Sequence, residues 1–322
     1  MPEVAVVVAT FRRADRLRVL LDGLADQVRD LGRVEVIVVH EPLPDAATAL
    51  VLAEHSLAAN GTLKARPGSR GTSAARMRNV GWRAARAPLI AFTDDDCRPA
   101  PEWLDQLLSA AHRAPGAVVQ GRTVPEPADR AVLEQTPWFR TVSVDPPSLE
   151  AQTCNIAYPR ELLQRLEGFD EEHYPAAGED TDLCARAVEL GAPRLAAPEA
   201  VVYHAIEPIG LLGALRVTQR WDAMAYVYKR HPALRSGATL GIFWKPRHPL
   251  VLLALIGALT ALRHRPLGLL CLPYLWRVRP SRQALAQSPG PTVAVLLGRG
   301  LIDLAEVAAL ARGSLRSRTL FL

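Results

Sequence analysis

The chain has 322 residues, 49% of them hydrophobic and 22% charged, which describes a folded protein and excludes a disordered one. Its formal charge of +5 is unevenly placed: residues 208–322 carry 16 Lys+Arg against 3 Asp+Glu, or +13, and residues 1–207 carry 22 against 30, or −8. The four cysteines (Cys97, Cys154, Cys184 and Cys271) lie far apart with no C-x-x-C pair, so neither a redox motif nor a disulfide framework is expected. The first apolar run, Val4 to Ala9, is too short for the core of a signal peptide, and reduced thiols in the cytoplasm are the expectation.

Val4 to Ala9 is a continuous apolar run of buried-strand type. Asp15 to Asp26 then places Leu17, Leu20, Leu21 and Leu24 at helical spacing. Val34 to Val39 predicts a second strand, Ala46 to Leu57 a second helix and Ser73 to Ala85 a third. Leu89 to Phe92 is a third buried strand that runs into Asp94-Asp95-Asp96, and Trp103 to His112 reads as a further helix. Such alternation predicts an α/β fold around a parallel-centred sheet, whose ligands gather at the carboxyl ends of the strands. From Pro125 to Pro147 the chain is Pro-rich and aperiodic, carries Trp138-Phe139 and reads as a long loop over the site. Order returns at Gln152 to Ala157, followed by helices over Arg160–Leu166 and from Asp180 to Gly191. After His204 the composition shifts, dividing the chain into a domain of residues 1–207 and a basic, apolar, helical region of residues 208–322.

Three adjacent acids at a strand end repel one another, so each costs stability unless a cation compensates. The fitting cation is hard and oxygen-loving, Mg²⁺ or Mn²⁺, and commonly bridges carboxylates to substrate phosphates. A solvated acidic turn before Pro99 is the bland alternative, and the triplet alone does not decide between them.

Four ordered motifs do. Leu89-Ile-Ala-Phe-Thr-Asp-Asp-Asp-Cys-Arg-Pro99 with Pro101-Glu-Trp-Leu104 resembles the D-x-D region of family 2 glycosyltransferases, which have the GT-A fold. Upstream, Gly71 through Arg78-Asn79-Val80-Gly81 is similar to the stretch that precedes that family's metal strand. Downstream, Gly168-Phe-Asp-Glu171 and Gly178-Glu-Asp-Thr-Asp-Leu183 match its G-F-D-E and G-E-D-x-D-L signatures in order. The resemblance covers residues 3 to 207.

What the resemblance implies is inverting transfer of a sugar from a nucleotide-sugar donor to an acceptor hydroxyl. Asp180 falls on the catalytic base, with Glu179 orienting the acceptor. Asp180 also suits a helix N-cap, and Asp182 the electrostatics of a helix start. Metal ligands are expected at Asp96, at Asp94 directly or through water, and at His204 on a later strand. Arg78, with Arg76 as a weaker rival, is a candidate for the donor diphosphate, because guanidinium grips phosphate oxygens bidentately. Thr10, Phe11, Arg12, Asp94 and Asp95 complete the expected donor site.

Two departures stand out. Where family members begin P-x-Y/F-N-R, this chain has Ala9-Thr10-Phe11-Arg12-Arg13; where they read V-D-D-G-S/T, it has Val39-His40-Glu41-Pro42. Glu41 still offers an acceptor for a base N–H, but the identity of the base stays open. Trp138 and Phe139 suit an apolar platform for a sugar or lipid, or simple packing on the domain.

Leu211 to Lys229 reads as helical, and apolar runs follow at Pro249–Leu262, Pro266–Trp276 and Thr292–Ala311. The first would be roughly 21 Å long as a helix, short of the ~30 Å hydrocarbon core. Interfacial helices or a re-entrant hairpin at the cytoplasmic face of a membrane fit better, with a packed helical subdomain as the alternative. A cell-envelope or lipid-linked acceptor is then the expected partner, and nucleic acid is not. One rival function is a nucleotidyltransferase, but Ala9 to Arg13 lacks the glycines of its phosphate loop. The other is a non-catalytic nucleotide-sugar-binding protein of the same fold.

Overall fold

Strand β1 (Val4–Thr10) is buried along almost its whole length, because both faces of the sheet around it are covered. The computed structural model describes residues 1–28, 33–69, 73–174, 176–279 and 292–322. They form two compact units, residues 1–127 with 141–205, and residues 128–140 with 206–322.

In the first unit β1 is followed by α1 (Ala14–Ala25), β2 (Val34–His40), α2 (Ala46–Glu54), α3 (Ser56–Ala59) and β3 (Leu63–Pro67). Next come α4 (Ala74–Ala84), β4 (Leu89–Asp94), β5 (Cys97–Pro99), α5 (Trp103–Arg113) and β6 (Val118–Pro125). The chain passes through α6 (Ala131–Gln135) and β7 (Phe139–Arg140) of the second unit. It returns with β8 (Ile156–Pro159), α7 (Arg160–Arg165), α8 (Glu179–Glu189) and β9 (Arg194–His204). The strand order of the eight-stranded sheet is β3-β2-β1-β4-β8-β6-β9-β5. Its first four strands run parallel, whereas β8 is antiparallel to β4 and β6. The sheet is therefore mixed, with a parallel block of β3, β2, β1 and β4 and a further parallel pair in β6 and β9.

Alternation of side chains along β1 divides the core. Val4, Val6 and Val8 join Leu17, Leu20 and Leu21 of α1 on one face. Ala5 and Val7 meet Trp82 of α4 and Leu183 of α8 on the other. Parallel register sets Thr10 beside His40 and Ala9 beside Asp94, so the ends of β1, β2 and β4 open at one edge.

The Pro-rich stretch expected as a long loop holds a 3₁₀ turn at Pro127–Asp129, helix α6 and strand β7. β7 pairs antiparallel with β10 (Glu207–Pro208), a partner some seventy positions away that no local pattern announces. The second unit continues with α9 (Gly210–Thr218), α10 (Asp222–Arg230), α11 (Arg247–Ala261), α12 (Leu272–Val278) and α13 (Thr292–Ser317). No helix among the described residues is long and apolar enough to cross a membrane.

Candidate active site

β4 delivers Asp94 at its last position, and the turn to β5 carries Asp95 and Asp96. Each of the three acids has its own set of partners, with Arg13 shared by Asp95 and Asp96. Asp94 accepts a hydrogen bond from Arg78 Nη2 at 2.9 Å. Asp95 accepts from the Thr10 hydroxyl at 2.8 Å, the Phe11 amide at 3.3 Å and Arg13 Nη1 at 3.1 Å, tying the loop after β1 to the acidic turn. Asp96 accepts from Arg13 Nη1 at 2.7 Å and lies 3.5 Å from His204 Nε2. Burial pushes the Asp95 carboxyl up to about 6, against the pull of Arg13 and Thr10. At Asp94 burial also opposes the charge, but Arg78 and His204 hold the carboxyl below its ordinary range.

His204 is brought to this turn by pairing that is remote in sequence. β5 runs antiparallel to β9, with Cys97 opposite His204. The His204 Nδ1 faces the Ala205 carbonyl at 2.9 Å, which makes Nδ1 the donor there and turns Nε2 towards Asp96. Asp96, Cys97 and His204 place their ligand atoms within 4.8 Å of one another. Burial raises the Cys97 thiol well above its ordinary range, so it stands protonated and the ligand pair is one carboxylate and one imidazole. That set fits a divalent ion of the Mn²⁺ or Mg²⁺ kind, with the imidazole favouring the softer Mn²⁺. Asp94, also expected as a ligand, does not join this group; its carboxylate faces Arg78.

The opposite wall is the start of α8. Gly178 sits at φ +97 as the residue before the helix, a conformation that suits glycine, and Glu179, Asp180 and Asp182 occupy the first turn. The helix N-terminus favours this negative charge. Asp180 Oδ1 accepts from the Thr181 amide at 2.9 Å. Burial, then the Glu179 charge beside it, pushes the Asp180 carboxyl up to about 7. Asp182 is fully buried, accepts from Tyr174 and from Arg186, and so braces the helix start.

Arg78 joins the two walls. From the middle of α4 its guanidinium donates to Asp94 and, through Nη1, to Glu179 at 2.9 Å. Burial opposes its charge, but Asp94 and Glu179 keep it protonated. Arg76 points elsewhere, pairing with Glu171 at 2.8 Å. Next to Arg78, the Asn79 amide donates to the Phe169 carbonyl and accepts from the Phe169 amide, which clips the 168–171 turn onto α4. Gly71, at the head of the same motif, lies outside the described residues.

At the ends of β1 and β2, Arg12 Nε donates to Glu41 Oε1 at 3.1 Å, and Phe11 next to it in sequence stands exposed. The roles of Arg13 and Asn79 do not show in the sequence alone; the signal for Arg13 is a basic residue three positions beyond the end of a buried strand. Trp138 packs in the second unit against Gly298 of α13, where a Cβ would meet its ring at 2.4 Å, and Phe139 stays exposed.

The family model for glycosyl transferase family 2 matches residues 5–167. A validoxylamine A glucosyltransferase of Streptomyces hygroscopicus is 29% identical over 226 residues, covering 60% of this chain and 53% of its own length. The chain thus spans about half the length of the curated relatives it matches first. A mannosyltransferase of Pyrobaculum calidifontis, solved with GDP-Man and Mn²⁺, superposes with a TM-score of 0.58 at 20% identity, over 98% of this chain and 87% of that one. S. aureus TarS 1–349 with UDP-GlcNAc gives 0.51 at 16%, over 99% and 93%. These two share the fold. With half of its residues matched by that family model, the chain belongs to glycosyl transferase family 2.

Proposed function

We propose that the chain is an inverting, metal-dependent glycosyltransferase that moves a sugar from a nucleotide-sugar donor to an acceptor hydroxyl. The observation that carries this reading is the Arg78 bridge. One buried guanidinium holds the carboxylate at the end of β4 and the carboxylate beside Asp180 in the same small space. A donor diphosphate at the first wall and an acceptor at the second would then meet between them.

Asp180 is the base of this scheme. Its carboxylate takes the acceptor hydroxyl proton while that oxygen bonds to the anomeric carbon and the carbon–diphosphate bond breaks from the opposite face. The nucleoside diphosphate leaves with the bonding pair, and the anomeric centre inverts. A proton affinity near 7 suits a base working at neutral pH. Glu179 orients the acceptor and raises the basicity of Asp180. Asp96 and His204 would hold a divalent ion, which would supply positive charge against the departing diphosphate.

The loop Thr10, Phe11 and Arg12 and the acid Glu41 are assigned to the nucleoside, and Asp95 to holding that loop in place. Arg78 is assigned to the donor diphosphate as well as to joining the two walls, since its bonds to Asp94 and Glu179 use two of the five N–H donors of a guanidinium. The acceptor is proposed to be a cell-envelope or lipid-linked glycan reached at the cytoplasmic face of a membrane. The basic, apolar composition of residues 208–322 supports that placement. A thermal-shift panel of nucleotide sugars tests the donor reading. One donor should stabilise the protein with Mn²⁺ present and lose most of that effect on chelation; a panel without any metal-dependent response contradicts it.

A further inference from the structure

The helical unit keeps its acids inside, beside an apolar core of Val251, Tyr274, Val278 and Val307, and leaves further apolar side chains outside. Between Asp222 and Asp303 the sequence holds eleven lysines and arginines and no acid. The acids that α13 does carry, Asp303 and Glu306, are turned inward and buried. Glu306 accepts from Lys245 Nζ at 2.8 Å and pairs with His248 Nε2 at 3.1 Å, and Asp303 accepts from the Tyr274 hydroxyl at 2.9 Å and forms an ion pair with Arg247. These pairs knit the start of α11, α12 and α13 together from within.

The outside of the same helices is apolar. On α11 Ile256, Leu259 and Leu262 are exposed at helical spacing, while Val251 and Gly257 face inward, the latter against Leu270. On α12 Trp276 is exposed one turn after Leu272, and Tyr274 and Val278 are buried. On α13 Val293, Leu297 and Leu301 repeat every four residues, all more than half exposed. A water-facing helical unit shows the opposite distribution, and contiguous apolar stripes on adjacent helices mark a docking surface.

Charge decides the partner. Arg263, His264 and Arg265 are exposed at the end of α11, and Arg277 and Arg279 at the end of α12. Arg279 lies 3.5 Å over the Trp276 ring, an apolar body and a cation combined at one point. A second protein copy would bring the same uncompensated cations against themselves. An anionic bilayer supplies negative headgroups to the arginines and acyl chains to the leucines.

We propose that α11, α12 and the first half of α13 form a shallow insertion face that seats the protein in the headgroup region of an anionic membrane, helices in the plane and none spanning. This inference deepens the membrane placement proposed above and rests on it; it is independent of the donor chemistry.

The test is flotation of the full chain with phosphatidylcholine vesicles with and without phosphatidylglycerol, at low and high salt. Compared with wild type are the exposed triple variant Leu259→Glu, Leu262→Glu, Trp276→Glu and the pair Arg263→Gln, Arg265→Gln. Wild type should float with the anionic vesicles and float less as salt rises. The apolar variant should bind at least about tenfold more weakly at either salt, and the arginine variant more weakly at low salt only. Wild type left behind at low salt, or a triple variant that floats like wild type, overturns the proposal. So does a wild-type dimer in solution that the triple variant converts to monomer. Nucleotide-sugar stabilisation with Mn²⁺, measured on the same proteins without vesicles, separates the two claims. Donor response without flotation removes the insertion face alone; flotation without donor response removes the catalytic reading alone.

Discussion

Replacing Asp180 by Asn should make the protein more stable and far less active, in a pH-dependent way that only a buried base produces. The carboxyl is pushed up to about 7, mainly by burial and then by Glu179. In the unfolded chain it titrates near 3.9, and the gap corresponds to at most about 4 kcal/mol. Because the folded value is the higher one, stability is lost as pH rises from the unfolded value through the folded value. The uncharged amide escapes that loss. Asp180→Asn should therefore gain on the order of 2–4 kcal/mol over wild type at pH 8, and the gain should fade to nothing by about pH 4. Activity should move the other way. Only the ionised carboxylate accepts a proton, so the wild-type kcat/KM should fall about tenfold between pH 8 and pH 6, and the amide should lose several orders of magnitude at every pH. Urea denaturation at pH 4, 6 and 8, with product formation on the same samples, reads both arms. Equal stability of the two proteins at pH 8, or a flat wild-type pH profile, refutes the reasoning.

Three further outcomes are expected. Gly168→Ala should cost about 2–6 kcal/mol, since φ is +78 and the new Cβ would sit 2.3 Å from Asn79 Oδ1; chemical denaturation measures it. Burial opposes the charge of Glu306, but His248 and Lys245 hold it at about 2. Glu306→Gln should thus cost about 3–5 kcal/mol at neutral pH by leaving the Lys245 charge unmatched, and the difference from wild type should shrink as pH falls from about 4.3 through the folded value. Glu41→Gln should weaken nucleoside diphosphate binding roughly tenfold while leaving pyrophosphate binding unchanged in calorimetry, if Glu41 reads the base.

The helices α1, α4, α5 and α8 and the strands β1, β2 and β4 are legible in the sequence to within a residue or two. Each buries a full face or stripe, and that burial is written as uninterrupted or periodic hydrophobicity. What escaped was held by pairing distant in sequence. β3 has one buried residue among five, β5 has three residues in all, and β6 carries the buried polar residues Gln120 and Thr123 in its middle. The Asp94–Asp96 turn, Arg78, the α8 start and His204 could be named from motifs in chain order. Their distances could not, because β5 against β9 and α4 against the 168–171 turn set them. Arg78 shows this most clearly: a guanidinium near phosphate-site motifs reads as an anion binder, and only geometry adds that it also ties Asp94 to Glu179. Residues 128–140 give the same lesson, since the pairing of β7 with β10 replaces the expected loop.

The central claim, metal-dependent transfer from a nucleotide sugar, is tested most directly by release of nucleoside diphosphate. The full chain is assayed against a panel of donors with Mn²⁺, with chelator, and as the Asp96→Ala and His204→Ala variants, each also assayed for Mn²⁺ binding without donor. The account predicts release from one donor class with Mn²⁺ alone, and loss of both Mn²⁺ binding and release in the two variants. Release unchanged by chelation, or donor binding without release across the whole panel, contradicts it.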